Sequence, residues 1–185
     1  YRPGSVGFVS KSGGLSNEAY NIVARNTDGL YEGIAIGGDR YPGSTLLDHL
    51  LRYEKNPAVK MLVCLGEVGG MDEYEIVDAL KDRRITKPLV VWVAGTCAKA
   101  FKTDIQFGHA GARTGIDVEG ADAKNAALRA AGAVVPGSFD DYAEKIRRTY
   151  ERLVTEGKIR PVPEAAPPTV PADFDTALKA GMIRR

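Results

Sequence analysis

The chain has 185 residues, 44% of them hydrophobic and 26% charged, which suits one α/β domain with a sizeable core and an appended tail. Lys and Arg number 25 against 24 Asp and Glu, for a formal net charge of +1. The two signs are interspersed, so nothing in the balance calls for nucleic acid or an anionic membrane as partner.

Short apolar runs alternate with helical patterns along the chain. Residues 5–10 (SVGFVS) read as a strand, and residues 15–26 (LSNEAYNIVARN) as a helix that stops before Asp28-Gly29. A second strand is expected at 33–37 (GIAIG) and a helix at 45–55 (TLLDHLLRYEK), which ends at Asn56-Pro57. The run 59–65 (VKMLVCL) reads as a strand buried on both faces. Residues 72–83 (DEYEIVDALKDR) open with acids and close with bases, as the helix dipole favours. Strands at 89–94 (LVVWVA) and 133–135 (AVV) flank a helix at 119–131 that stops at Gly132. The last long helix, 138–155, opens with Ser-x-x-Asp, close to a capping box.

This order implies a doubly wound, flavodoxin-like parallel sheet of about five strands with helices on both faces. Residues 1–157 form the expected domain, and 158–185 a Pro-rich tail with a short helix at 174–181. The segment 95–118 is longer than an ordinary crossover loop, and long loops in compact domains are usually functional. Cys64 and Cys97 have neither metal-ligand nor disulfide spacing and read as reduced structural thiols, which places the protein in the cytoplasm. No apolar stretch is long enough to cross a bilayer, and no signal-peptide pattern is present. The chain opens on YRPGSV without Met, as expected of a piece of a longer polypeptide or a processed product.

In an open α/β sheet, ligands bind beyond the carboxyl ends of the strands. Four glycine-rich turns are expected on that rim: Ser10-Lys11-Ser12-Gly13-Gly14, Gly37 to Ser44 (GGDRYPGS), Gly66-Glu67-Val68-Gly69-Gly70, and Gly95-Thr96 with the loop Gly108-His109-Ala110-Gly111-Ala112. At Ser12, Gly13 and Gly14 the sequence alone balances two readings. One is a helix N-cap by Ser12 or Ser16. The other is an amide nest for an anion at a helix N-terminus. Glu67 is either a solvated loop acid or a carboxylate that accepts the Nδ1 hydrogen of an imidazole and leaves Nε2 as nucleophile. His109 is one of two histidines and is flanked by small residues that leave its ring accessible. His49 lies inside an amphipathic helix and reads as structural. Nucleophile, orienting acid and anion nest together suit phosphoryl transfer through a phosphohistidine. No metal cluster, Ser-His-Asp set or reactive-Cys signature competes.

SKSGGLSNEA, IGGDRYPGS, LGEVGG, TKPLVVWVAGT and FGHAGA, in this order, resemble the ATP-citrate lyase family and, more loosely, the α subunit of succinyl-CoA synthetase. The PPTVPADF tail and Gly14 favour the citrate enzymes. The resemblance implies that His109 is phosphorylated, that Glu67 bonds its ring, and that the amides of Ser12, Gly13 and Gly14 hold the phosphate. It leaves Gly69, Gly70, Gly108 and Gly111 as possible substrate or loop positions. It implies that ATP phosphorylates the histidine in an ATP-grasp domain or subunit and that the phosphate passes to citrate. CoA then gives citryl-CoA, which a citrate-synthase-like lyase domain cleaves to acetyl-CoA and oxaloacetate.

The implied partners are the ATP-grasp domain, a CoA-binding Rossmann domain and the lyase domain, in a homo- or hetero-oligomer. ATP, Mg and CoA belong to the full enzyme, and this piece is expected to bind no cofactor tightly and not to turn over by itself. The GGDRYPGS turn is read as shaping the acid or CoA site, and Arg113 is given no role. Alternatives are a succinyl-CoA synthetase or other acyl-CoA synthetase module, a flavodoxin-like binding module, and an assembly fragment whose tail straps a neighbour. SKSGGLS imitates a flavodoxin phosphate loop, but Leu15 stands where that loop has its last hydroxyl. A receiver domain needs acids after strand 1, where this chain has Ser10-Lys11-Ser12.

Overall fold

The computed structural model describes residues 2–96, 108–112, 117–161 and 173–182. Cys97, Arg113 and the Pro-rich stretch from 162 to 172 lie outside the described residues. The elements are β1 (Pro3–Ser10), α1 (Gly13–Asn26), β2 (Leu30–Ala35), α2 (Leu46–Lys55), β3 (Met61–Glu67), α3 (Asp72–Lys81), β4 (Leu89–Ala94), α4 (Ala121–Ala130), α5 (Phe139–Thr155) and α6 (Phe174–Lys179). A 3₁₀ turn at Asp117–Glu119 leads into α4. No described helix is long and apolar enough to cross a membrane.

The four strands form one parallel sheet in the order β2-β1-β3-β4. Alternate residues of β3 serve opposite faces, as the two-residue period requires. Leu62 and Cys64 pack with Leu46, Leu50 and Tyr53 of α2, Ile76 of α3 and Leu128 of α4. Met61, Val63 and Leu65 pack with Ala19 and Val23 of α1 and with Tyr142, Ile146 and Leu153 of α5. Helices therefore cover both faces, and the doubly wound α/β architecture expected from the sequence is the one observed. Two tyrosines tie helix to sheet through buried hydrogen bonds: Tyr53 Oη donates to the Phe8 carbonyl at 3.1 Å and Tyr142 Oη to the Cys64 carbonyl at 3.0 Å.

Among the described residues the sheet has four strands rather than five. Of the expected strand 133–135, only Val134 pairs, in a single parallel bridge with Val90. The reason lies on the outer edge of β4. The Asn125 side chain accepts from the Val93 amide at 2.9 Å and donates to the Val93 carbonyl at 3.0 Å, occupying the next ladder position. Pro136 follows at once and has no N–H to continue the pairing. β2 begins at Leu30, three residues before the apolar run suggested. As an edge strand it turns Tyr31 toward solvent, so its start carries no continuous apolar signal. β3 extends to Glu67, so this acid is the strand's last residue rather than part of the following loop.

Helix starts follow their side chains. Ser12 caps α1 by accepting from the Leu15 amide at 3.2 Å. Thr45 and Asp48 form a complete capping box on α2. Ser138 caps α5 through the Asp141 amide at 3.2 Å, while the Asp141 carboxylate reaches back to the Gly137 amide at 3.0 Å. That last arrangement shifts the second half of the expected box by one residue.

Candidate active site

The carboxyl ends of β1, β2 and β3 lie side by side, with β1 in the middle. Beyond β1 the chain turns through Lys11 and Ser12 into α1. The Ser10 hydroxyl accepts from the Ser12 amide at 2.9 Å and fixes this turn. Ser12 caps the Leu15 amide, so the Gly13 and Gly14 amides begin the helix without intrahelical acceptors. A Cβ built on Gly13 or Gly14 meets no atom of the described residues within 4 Å, so among these residues the head of α1 is open. The two readings of Ser12 are compatible: its hydroxyl caps the helix, and the amides beside it still face open space.

At the end of β3, Glu67 points its carboxylate at the loop that carries His109. His109 Nδ1 lies 2.6 Å from Glu67 Oε2, a side-chain contact across 42 residues of sequence. The Glu67 side chain is 13% exposed and that of His109 is 36% exposed. Because Glu67 is the acceptor, Nδ1 carries the hydrogen and Nε2 keeps its lone pair. Residues 108–112 form a tight turn in which the Ala112 amide donates to the His109 carbonyl at 3.1 Å.

The same turn rests on the exit of β2. The Gly111 amide donates to the Gly38 carbonyl at 3.0 Å. The His109 ring packs so closely on Gly38 that any Cβ there would overlap it. The loop thus spans from Glu67 after β3 to Gly38 after β2. Since β1 lies between those strands, the loop crosses above the end of β1, where α1 begins. Gly108 precedes the histidine in this turn, with open space at its Cβ position.

Gly69 and Gly70 adopt positive φ after Glu67, at 87° and 62°. The Gly69 amide donates to the Glu119 carbonyl at 3.0 Å, and Tyr74 Oη donates to the Val118 carbonyl at 2.7 Å. These bonds brace the chain that leaves the His109 loop against the Glu67 turn. His49 sits apart, its Nε2 2.9 Å from Ser44 Oγ and its Nδ1 3.3 Å from Arg52. An arginine can only donate, so Nδ1 is the acceptor and Nε2 bears the hydrogen toward Ser44. His49 therefore anchors the loop before α2, a structural part as read from the sequence. Tyr41, at the tip of that loop, is 88% exposed.

Sequence reasoning missed the charges beneath Glu67. Lys124 of α4 and Glu73 of α3 are buried and paired, and Lys11 faces Glu73 at 3.5 Å and Asp72 at 2.9 Å. Burial pushes the Lys11 ammonium down, but the charges of Glu73, Asp72 and Glu67 outweigh it and hold the group above its ordinary range. The available signal was positional. Lys124 stands between Ala121 and Leu128, and Glu73 precedes Ile76 and Val77, each on a helix's apolar stripe. Among the described residues no group of three or more His, Cys, Asp and Glu gathers as a metal site.

A family model described as CoA-ligase matches residues 9–134, which include the end of β1, all of β2 to β4, Glu67 and His109. The chain belongs to the CoA-ligase family. This CoA-ligase chain is 64% identical over 185 residues to a probable ATP-citrate synthase from Dictyostelium discoideum, covering 100% of itself and 30% of that protein. Among solved structures, it matches an ATP citrate lyase from Methanosaeta concilii in complex with (3S)-citryl-CoA. That match has a TM-score of 0.89 at 59% identity, over 100% of this chain and 30% of that one. An acetyl-coenzyme A synthetase from Ca. Korarchaeum cryptofilum matches with a TM-score of 0.62 at 19% identity, over 81% of this chain and 31% of that one, a likeness of fold alone. The resemblance read from the motifs is thus the one the comparisons return. The CoA-ligase chain spans 30% of the first two relatives.

Proposed function

We propose that this chain is the phosphohistidine-bearing module of an ATP-citrate lyase. The observation that carries the reading is the 2.6 Å bond between His109 Nδ1 and Glu67, made by a loop that crosses the open head of α1. It leaves Nε2 as the accessible nucleophile beside an amide nest. The relatives named above, which cover the whole of this chain, support the choice of citrate.

In this reading Nε2 attacks the γ-phosphorus of ATP, the bond to the β–γ bridging oxygen breaks, and ADP leaves. Glu67 keeps the Nδ1 hydrogen and stabilises the positive charge that the ring gains. The Gly13 and Gly14 amides and the α1 dipole hold the transferred phosphoryl oxygens. A citrate carboxylate oxygen then attacks the phosphorus, the N–P bond breaks, and its electron pair returns to Nε2. The CoA thiolate attacks the acyl carbon of citryl phosphate and expels phosphate, giving citryl-CoA. Cleavage to acetyl-CoA and oxaloacetate belongs to a citrate-synthase-like domain. ATP with Mg²⁺ and the CoA nucleotide are met on ATP-grasp and Rossmann domains. Residues 1–157 are the phosphohistidine domain in this division, and 158–185 the linker.

The test is phosphoryl transfer in the full-length protein. Incubation with γ-labelled ATP should leave an acid-labile, base-stable label that citrate discharges and succinate does not. Label retained in His109→Ala refutes the assignment of the carrier. Discharge by succinate in place of citrate moves the module to the succinate enzymes.

A further inference from the structure

Glu67 is held at its backbone as well as through its carboxylate. Lys124 Nζ donates to the Glu67 carbonyl at 2.9 Å, to the Gly69 carbonyl at 2.7 Å and to the Glu73 carboxylate. Three acceptors match the three N–H groups of a charged lysine. The other oxygen of Glu73 accepts from the Glu67 amide at 3.2 Å. One buried ion pair, 1% exposed at Lys124 and 0% at Glu73, therefore engages both polar groups of the Glu67 backbone and the turn after it. Gly66 admits this arrangement, because a Cβ there would fall 2.6 Å from Glu73 Oε1. Lys11, the residue before the Ser12 cap, closes the network on its far side.

Stability does not explain such a pair. Two buried charges are often no more stabilising than apolar side chains of the same volume. Their geometry is specific instead: α3 and α4 meet the end of β3 at the residue that contacts His109. A carboxylate that orients an imidazole must hold its place, since a misplacement of about 1 Å costs about 10²-fold in rate.

We infer that Lys124 and Glu73 are positioning residues for phosphoryl transfer, clamping the end of β3 so that the Glu67 carboxylate stays in register with His109 Nδ1. The inference rests on reading His109 as the phosphoryl carrier. Neither residue touches the reacting atoms, so their effect must pass through Glu67.

That dependence is testable by a double-mutant cycle in the full-length protein. The readout is the single-turnover rate of His109 phosphorylation by ATP. Lys124→Met, and Lys124→Met with Glu73→Leu, are each measured with Glu67 present and in Glu67→Ala. The double replacement removes both buried charges together, which cores tolerate better than the loss of one. With Glu67 present, each change should slow phosphorylation by about tenfold or more while the KM for ATP stays within about twofold. In Glu67→Ala the same changes should matter by less than about twofold. Gly66→Ala repeats the test without discharging either partner, since its methyl displaces Glu73, and it should show the same dependence on Glu67. Equal slowing in both backgrounds makes the pair merely structural and overturns the inference, as does no slowing when Glu67 is present. Absence of any label on His109 in the unaltered protein is a different result, and it removes the phosphohistidine reading along with the clamp.

Discussion

A single methyl group on Gly38 should disable His109 without disturbing the fold. Gly38 does not have a positive φ, so alanine is acceptable to its backbone. The obstacle is the loop above it. The added Cβ would fall 2.5 Å from His109 Cβ and closer still to the ring atoms Cγ and Nδ1. Carbon atoms settle about 3.5–4.0 Å apart, so the ring and Gly38 must separate by about 1 Å. The ring sits between Gly38 and Glu67, so a shift of that size cannot preserve the 2.6 Å bond to Glu67: the ring is pressed against the carboxylate or turned out of line with it. A reacting group misplaced by about 1 Å costs about 10²-fold in rate. The assay is rapid-quench phosphorylation of the full-length protein by labelled ATP, with thermal unfolding alongside. Gly43→Ala is the control in the same loop, because a Cβ there meets no atom of the described residues within 4 Å. The reasoning fails if Gly38→Ala phosphorylates within about twofold of the unaltered rate, or if Gly43→Ala slows as much.

Three further outcomes are expected. Glu67→Ala should slow His109 phosphorylation by about 10²-fold or more, the scale of an orienting or general-base group, and a rate within about twofold of the original would remove its assigned role. Gly14→Ala should separate stability from activity. Alanine suits a helix better than glycine by up to about 1 kcal/mol, and the methyl enters open space, so the melting temperature should hold or rise. The phosphorylation rate should fall, because that open space is where the phosphate is proposed to sit; an unchanged rate counts against the nest. The third outcome concerns pH. Burial first, then the Arg52 cation, holds His49 below its ordinary value of 6.5. The folded protein then binds fewer protons than the unfolded chain just below that pH. The His49 contribution is present above pH 6.5 and is lost as the pH falls through the window beneath it. Urea midpoints measured across that window should decline less in His49→Asn than in the unaltered protein, and equal declines would contradict the sign.

Much of this architecture is written in local patterns. β3 and β4 are apolar on both faces, and only a parallel sheet covered by helices buries both. Ser12 and Ser138 mark helix starts because their hydroxyls replace missing acceptors in the first turn. Glu67 and His109 were legible as chemistry from residue type and position on the rim, although 42 residues separate them. What escaped is long-range compensation. Ala133-Val134-Val135 has the composition of a strand, yet Asn125, on a helix, takes the ladder position that strand would need. Glu73 was legible only as one of the acids that open its helix and Lys124 not at all, because unpaired charges are seldom buried and each of these is buried with the other as its partner. Gly38 was legible only as part of the GGDRYPGS turn, read as shaping the acid or CoA site, and its close approach to His109 exists only once β2 and β3 are set on either side of β1.

The position of the phosphoryl group on the imidazole tests the central claim most directly. The Nδ1 hydrogen is committed to Glu67 at 2.6 Å, so only Nε2 has a lone pair to offer. The full-length protein, phosphorylated by ATP and digested under alkaline conditions, should yield the His109 peptide carrying phosphate on Nε2, assigned by nitrogen–phosphorus NMR coupling. Phosphate on Nδ1, or on a residue other than His109, would contradict the account.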